Sequence, residues 1–170
     1  MNPSARNKDH TVPRIIVFGV SGCGKSTVAS LLAKSLDIPF IEADDFHPKA
    51  NIQKMKNGIP LNDKDRKPWL DTLNSELQNR KETGFVLACS ALKEQYRKLL
   101  SDGISGITWI YLDGSFDTIF KRMKEREHFM KPEMLQSQFD ALEIPEYGIH
   151  CSIEYPPEEI VNQILEQLSE

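Results

Sequence analysis

Long apolar runs are missing from this sequence: the longest, such as IIVFGV and FVLAC, are strand-sized and far short of the roughly 20 residues a bilayer span needs. No membrane partner is therefore expected. Surplus positive charge is missing too. Lys and Arg number 21 against 25 Asp and Glu, a net charge of −4, so the chain lacks the cation excess that general nucleic-acid binding demands. A small-molecule substrate is expected instead. Cysteine is scarce, with only Cys23, Cys89 and Cys151, an odd number and no CxxC pair. Neither a disulfide framework nor a zinc site follows from that spacing, and a reducing compartment does. The opening stretch MNPSARNKDHTV has no apolar segment of the kind a secretory signal needs. A cytoplasmic location is expected, with residues 1–13 as a flexible tail.

The chain's 170 residues suffice for one sizeable core and are too few for two lobes. A single domain over residues 14–170 is the expectation. Within it, β-branched runs alternate with longer stretches of helical period, the pattern of a parallel sheet covered by helices. Strands are expected over 15–18, 39–42, 85–89, 108–112 and 151–153, and helices over 25–36, 66–81, 92–100, 116–127 and 157–168. The first, third and fourth strands are almost wholly apolar, as strands buried on both faces are. Two regions break the alternation. Residues 45–65 read as an inserted helix and loop on the substrate side, and residues 121–147 as a lid region, rich in Lys and Arg, with a second helix near 134–142.

Gly19-Val20-Ser21-Gly22-Cys23-Gly24-Lys25-Ser26 matches G-x-x-x-x-G-K-[ST] in full, directly after an apolar strand and directly before a helical pattern. Glycines at these positions let backbone N–H groups curl around an anion, and the helix that follows adds its positive end. Lys25 is expected on the β- and γ-phosphates of ATP, and the Ser26 hydroxyl on Mg²⁺. Thr27 completes the expected ATP-binding set. Cys23 has two readings: a small residue that fits the loop, or a thiol activated by Lys25 and the helix N-terminus.

Ligands of parallel sheets lie beyond the carboxyl ends of the strands. There the second strand leads into Glu42-Ala43-Asp44-Asp45-Phe46-His47. A carboxylate near a phosphate loop either takes the proton of an attacking hydroxyl or holds a water on Mg²⁺. His47 is either a substrate contact or a loop brace. The third strand leads into Ser90-Ala91-Leu92-Lys93, where Ser90 suits an N-cap. Lys93 in the first helical turn opposes the helix dipole unless something anionic sits there, and Arg97, one turn on, shares its face. In Asn62-Asp63-Lys64-Asp65-Arg66-Lys67-Pro68-Trp69, Asp63 or Asp65 suits the cap and Trp69 a packing anchor. Arg122 and Arg126, four apart, fall on one helical face, suited to a flap that neutralises a triphosphate.

Together GVSGCGKS, ADDFHP, NIQKM, PLNDKDRKPWL, CSALK and the basic helix ending Arg126-Glu127-His128-Phe129 resemble the small P-loop type of gluconate kinase (gluconokinase), from about Arg14 to the end. The resemblance implies transfer of phosphate from ATP to D-gluconate, giving 6-phospho-D-gluconate for the pentose phosphate pathway, with Mg²⁺ as cofactor. It further implies a homodimer and an α/β P-loop NTPase fold of the nucleoside-monophosphate-kinase-like, three-layer kind. That fold carries five parallel strands in the order 2-3-1-4-5, and a lid. By the same resemblance, Asp44 matches the acid on the acceptor hydroxyl and Glu42 the acid nearer the metal, acting through water. Arg122 matches a lid arginine near adenine and Arg126 one on the phosphates.

A small polyhydroxylated anion needs cations for its carboxylate and acceptors for its hydroxyls. Lys93, Arg66 and Arg97 are the candidates for the first, and Asp44, His47 and Asn62 for the second. One departure stands out: the third strand ends in Cys89-Ser90 with no Walker-B Asp, so the outer-shell carboxylate of Mg²⁺ must come from Glu42 or Asp44. Other small kinases of the same fold, those for shikimate, adenylylsulfate or nucleotides, are the nearest alternative. A regulatory ATP-binding module is a further one, against which the acid cluster after the second strand argues.

Overall fold

The computed structural model describes residues 12–126 and 131–170. Most of the N-terminal tail and the Glu127-His128-Phe129 part of the basic motif lie outside the described residues. The elements follow in the order β1 (Arg14–Phe18), α1 (Lys25–Leu36), β2 (Phe40–Glu42), a 3-10 turn (Ala43–Phe46), α2 (Lys49–Lys56), α3 (Asp63–Arg80), β3 (Phe85–Cys89) and α4 (Glu94–Ser101). Then come β4 (Ile107–Asp113), α5 (Phe116–Glu125), α6 (Pro132–Ala141), β5 (Ile149–Ser152) and α7 (Pro157–Leu168).

All strand pairs are parallel and the sheet runs β2-β3-β1-β4-β5, the order the resemblance implies. Central strands carry the core because both their faces are covered. Ile15, Ile16, Val17 and Phe18 of β1 and Phe85, Val86, Leu87 and Ala88 of β3 are wholly buried. From β1 the chain moves one way along the sheet to β2, and from β3 the other way to β4. Right-handed crossovers therefore place α1 on one face and α3 and α4 on the other. α1 packs beside α7, and α3 beside α4. Among the described residues no helix is long and apolar enough to cross a membrane.

Local chemistry moves several expected boundaries. α3 begins at Asp63 rather than at residue 66, because Asn62 and Asp65 form a capping box: the Asn62 side chain accepts from the Asp65 N–H at 2.8 Å, and the Asp65 carboxylate accepts from the Asn62 N–H at 3.0 Å. Two otherwise orphaned donors are satisfied three residues upstream of the expected start. The cap is thus Asn62, not Asp63 or Asp65. Ser90 caps nothing; α4 starts later, with Lys93 at the N-cap in extended conformation. α5 stops at Glu125 and Arg126 is extended, with φ −107° and ψ 152°, so Arg122 and Arg126 do not share a helical face.

Removing the Asn62 cap is expected to cost about 1 kcal/mol of stability. Asn62→Ala should lower the urea midpoint accordingly while Asn62→Asp retains most of it; an unchanged midpoint in Asn62→Ala would show that the box contributes nothing.

Candidate active site

The turn after β1 is built around glycines that no other residue replaces. Gly22 has φ +80°, and a Cβ there would sit 2.8 Å from Met123 Cγ, so the loop and α5 approach closely because the side chain is absent. Gly24 has φ +94° and occupies the N-cap of α1 with no side-chain cap. The first N–H groups of α1 therefore have no side-chain acceptor from the cap residue and remain directed at an anion.

Lys25 and Ser26 open α1 and line a cavity of about 800 Å³. Across it stand Asp44 and His47 from the turn after β2, Arg66 and Trp69 from α3, Arg126 from the end of α5 and Gln138 from α6. Of the charged residues in the wall, among the described residues Lys25, Lys56, Arg66, Arg126 and Lys131 are cationic and Asp44 is the one anionic group. A chain of net charge −4 thus sets five cations against one carboxylate among the described residues of this cavity, a field that draws anionic ligands in.

The acid after β2 is tied to the phosphate loop. Ser26 Oγ donates to Glu42 Oε2, while the buried Glu42 Oε1 has no hydrogen-bond partner among the described residues. An orphaned buried carboxylate oxygen is costly, and a metal-bound water would satisfy it. Among the described residues no group of three or more His, Cys, Asp or Glu side chains could cage a metal. A hydroxyl with one carboxylate behind it suits Mg²⁺, which keeps its waters and takes the rest of its ligands from phosphate oxygens.

Trp69 anchors the opposite wall. Its indole is 2% exposed, its Nε1–H donates to Ala43 O at 2.7 Å, and the ring of His47 stacks on it at 4.1 Å and 13°. It is a packing anchor as expected, and it also lines the cavity. Burial holds the His47 pKa below its usual 6.5, with Arg66 pushing the same way and Asp44 opposing. Arg66 Nη1 donates to Leu61 O at 2.6 Å and to Tyr96 Oη at 3.1 Å. Tyr96 in turn donates to Asp63, whose pKa falls to about 2 through hydrogen bonds from Tyr96, Gln95 and Lys93.

Other expected site residues lie elsewhere. Lys93 pairs with Asp63 at 3.2 Å and is not in the cavity wall; the anion that answers its place at the start of α4 is a protein carboxylate. Asn62 is occupied as a cap. Arg97 is 1% exposed and its guanidinium is consumed: Nε donates to Ala91 O at 3.1 Å, Nη2 to Leu92 O at 3.0 Å and to Glu143 O, and Nη1 faces Tyr147 Oη at 3.4 Å and the Glu94 carboxylate at 3.3 Å. It braces the turn containing Ala91, which has φ +39°, and has no donor to spare for a ligand's carboxylate. Arg122 donates to Ile153 O at 2.8 Å and is likewise absent from the wall.

Cys23 is 3% exposed. Its pKa is raised because burial outweighs the nearby Lys25, and its Sγ lies 2.9 Å from where a Gly19 Cβ would sit; both agree with the reading of a small residue that fits the loop.

Gln138 was not anticipated. Its Oε1 accepts from the Ser21 N–H at 2.7 Å and its Nε2 donates to Ser21 Oγ at 2.9 Å, so α6 is hydrogen-bonded directly to the phosphate loop. One signal was present: Gln138 is three residues from the buried Leu135, a polar residue on the inward face of its helix.

The shikimate kinase family model matches residues 21–169. A thermosensitive gluconokinase of Escherichia coli (strain K12) is 48% identical, over 77% of this chain and 72% of that protein. A gluconokinase of Arabidopsis thaliana is 42% identical, over 98% of this chain and 97% of its own length. The chain belongs to the gluconokinase family. It is accordingly an enzyme, a nucleotide-binding kinase. The crystal structure of a gluconokinase from Sinorhizobium meliloti 1021 superposes with a TM-score of 0.86 at 40% identity, covering 94% of this chain and 93% of that one. The sheet order and the loop together are those of the P-loop NTPase fold.

All three cysteines are buried and carry raised pKa values, Cys89 to about 12. Raised values mean less thiolate at neutral pH than an ordinary thiol has, with reactivity increasing only as the pH climbs. Iodoacetamide without nucleotide should leave the native protein unlabelled by mass spectrometry and label all three sites in denaturant. Fast, selective alkylation of Cys23 at neutral pH would contradict this.

Proposed function

We propose that the chain transfers the γ-phosphoryl group of ATP to D-gluconate, giving ADP and 6-phospho-D-gluconate, and so supplies the pentose phosphate pathway. The observation that carries this reading is one cavity whose two walls differ in chemistry. One wall is a complete phosphate loop; the other sets a carboxylate, an imidazole and a guanidinium from different elements side by side. Family membership supports the same assignment.

In the reaction the loop N–H groups and Lys25 hold the β- and γ-phosphates, with Gly19, Val20, Gly22, Cys23, Gly24 and Thr27 shaping the cradle. Ser26 and, through water, Glu42 would hold Mg²⁺, which would neutralise charge on the phosphate oxygens. Asp44 accepts the proton of the acceptor hydroxyl as its oxygen bonds to the γ-phosphorus and the bond to the β-phosphate oxygen breaks. Lys25 and Arg126 stabilise the charge on the moving phosphoryl group. Arg66, held in place by Leu61 O and Tyr96, takes the gluconate carboxylate in preference to Lys93 or Arg97. Asp44 faces the hydroxyls, with His47 beside it. Arg122, fixed on Ile153 O, stands at the adenine end.

Residues 14–170 act as one domain, with 45–65 and 121–147 as its moving parts, in a cytoplasmic homodimer. An acceptor of the shikimate type is the second reading, favoured by the extent of the family-model match.

A coupled ADP-release assay over a panel of sugar acids and shikimate decides between them. Gluconate should be the preferred acceptor; product from shikimate alone, or from no acceptor, would overturn the proposal. Asp44→Asn should lower kcat by about 10²–10⁴-fold with little change in the KM for ATP. Arg66→Ala removes a charged hydrogen bond of about 1.5–3 kcal/mol and should raise the gluconate KM by roughly 10–150-fold. Lys93→Ala should raise it far less. Equal effects of the two on the gluconate KM would refute the assignment of Arg66.

A further inference from the structure

Asn51 on α2 and Arg97 are the buried polar or charged side chains among the described residues; Asn51 is 3% exposed. No step of the reaction above uses it. Its Nδ2 lies 2.9 Å from Asp65 O and 3.2 Å from His47 Nδ1. A backbone carbonyl can only accept, so the atom facing Asp65 O is the amide nitrogen rather than the amide oxygen. That same nitrogen faces His47 Nδ1. The ring nitrogen must therefore accept, and the imidazole proton resides on Nε2.

The plane of the ring is fixed as well, by its stack on Trp69. Nε2 lies 3.7 Å from Asp44 Oδ1; the His47 side chain is 4% exposed and the Asp44 side chain 71%. Asp44 has the freedom to close the remaining gap of about half an ångström or more to a hydrogen bond, and His47 has none. The charged groups acting on the ring are Asp44 and Arg66. The nearby Asp65 carboxylate is already engaged by Lys54 at 2.9 and 3.0 Å and by the Asn62 N–H. Protonating Nδ1 would set two donors against each other, which agrees with the lowered pKa of the ring. Bracing α2 against α3 requires only the bond to Asp65 O; the second amide hydrogen is spent on the imidazole.

We propose that Asn51 is a positioning residue for phosphoryl transfer: it locks His47 as the Nε2–H tautomer, so that the imidazole holds one oxygen of Asp44 and leaves the other for the acceptor hydroxyl. The catalytic part of this statement rests on the function proposed above; the tautomer does not.

Long-range ¹H–¹⁵N correlation spectra of histidine-labelled protein report the tautomer directly, with His47 assigned by its loss in His47→Gln. The wild type at neutral pH, without substrates, should show His47 protonated on Nε2 alone. In Asn51→Leu, which keeps the bulk and removes the donor, the tautomer preference should be lost and kcat should fall by about tenfold or more, with the KM for ATP unchanged. A wild-type ring carrying its proton on Nδ1, or both protons, overturns the proposal with no variant needed. So does a folded Asn51→Leu protein that keeps the Nε2–H signature, whether or not kcat falls. Failure of the wild type to phosphorylate gluconate counts instead against the proposed function, since the tautomer is read without turnover.

Discussion

One buried indole holds the acceptor side of this enzyme together. Trp69 lies under the turn that follows β2, bonded through its N–H to Ala43 O and stacked against His47. Asp44 is one residue from that bond and Arg66 one helical turn before Trp69 on α3. The three side chains proposed to face the acceptor are thus referenced to a single rigid group. Its burial explains the rigidity: removing a core aromatic of this size costs roughly 3–5 kcal/mol, more than any one surface contact supplies. The turn itself is short and rich in acid, and its own backbone adds a long bond from the His47 N–H to Asp44 O at 3.4 Å.

The phosphate loop has a separate origin, in glycine conformations and the open N-terminus of α1. Besides its packing on α5, two hydrogen-bonded links among the described residues join it to the rest. Ser26 reaches the carboxylate at the end of β2, and Gln138 reaches Ser21 from α6. The first links the nucleotide side to the acceptor side through the candidate metal position; the second links it to the lid region. Shape and charge agree here, because the cations that line the cavity come from α1, α2, α3 and the segment around the lid, and only folding gathers them.

Much of this was readable in the residues. The five strands, the phosphate loop and the helices at 25–36 and 157–168 follow from apolar period and local punctuation, which are properties of neighbours in the chain. What escaped depends on partners far away in sequence. Arg66 and Arg97 are the same residue type, each the fourth residue of its helix, yet one faces the cavity and the other is taken up by the carbonyls of Ala91, Leu92 and Glu143 together with Tyr147 and Glu94. Lys93 looked like an anion receptor until Asp63, thirty positions away, met it. Cys23 sits beside a lysine and a helix end, which left an activated thiol open beside the packing reading, but its burial sets the direction of the shift upward. Asn62 looked like a substrate contact because the local pattern of a capping box and that of a polar pocket share the same residue types.

The central claim is that nucleotide and acceptor occupy one cavity, each within reach of the other. Isothermal titration of gluconate, with and without a non-hydrolysable ATP analogue and Mg²⁺, tests it most directly. One gluconate site per chain is predicted, with an affinity that changes when the analogue is bound, and a reciprocal change of the same factor for the analogue. Identical gluconate affinities in the two titrations, or no gluconate binding in either, would contradict the account.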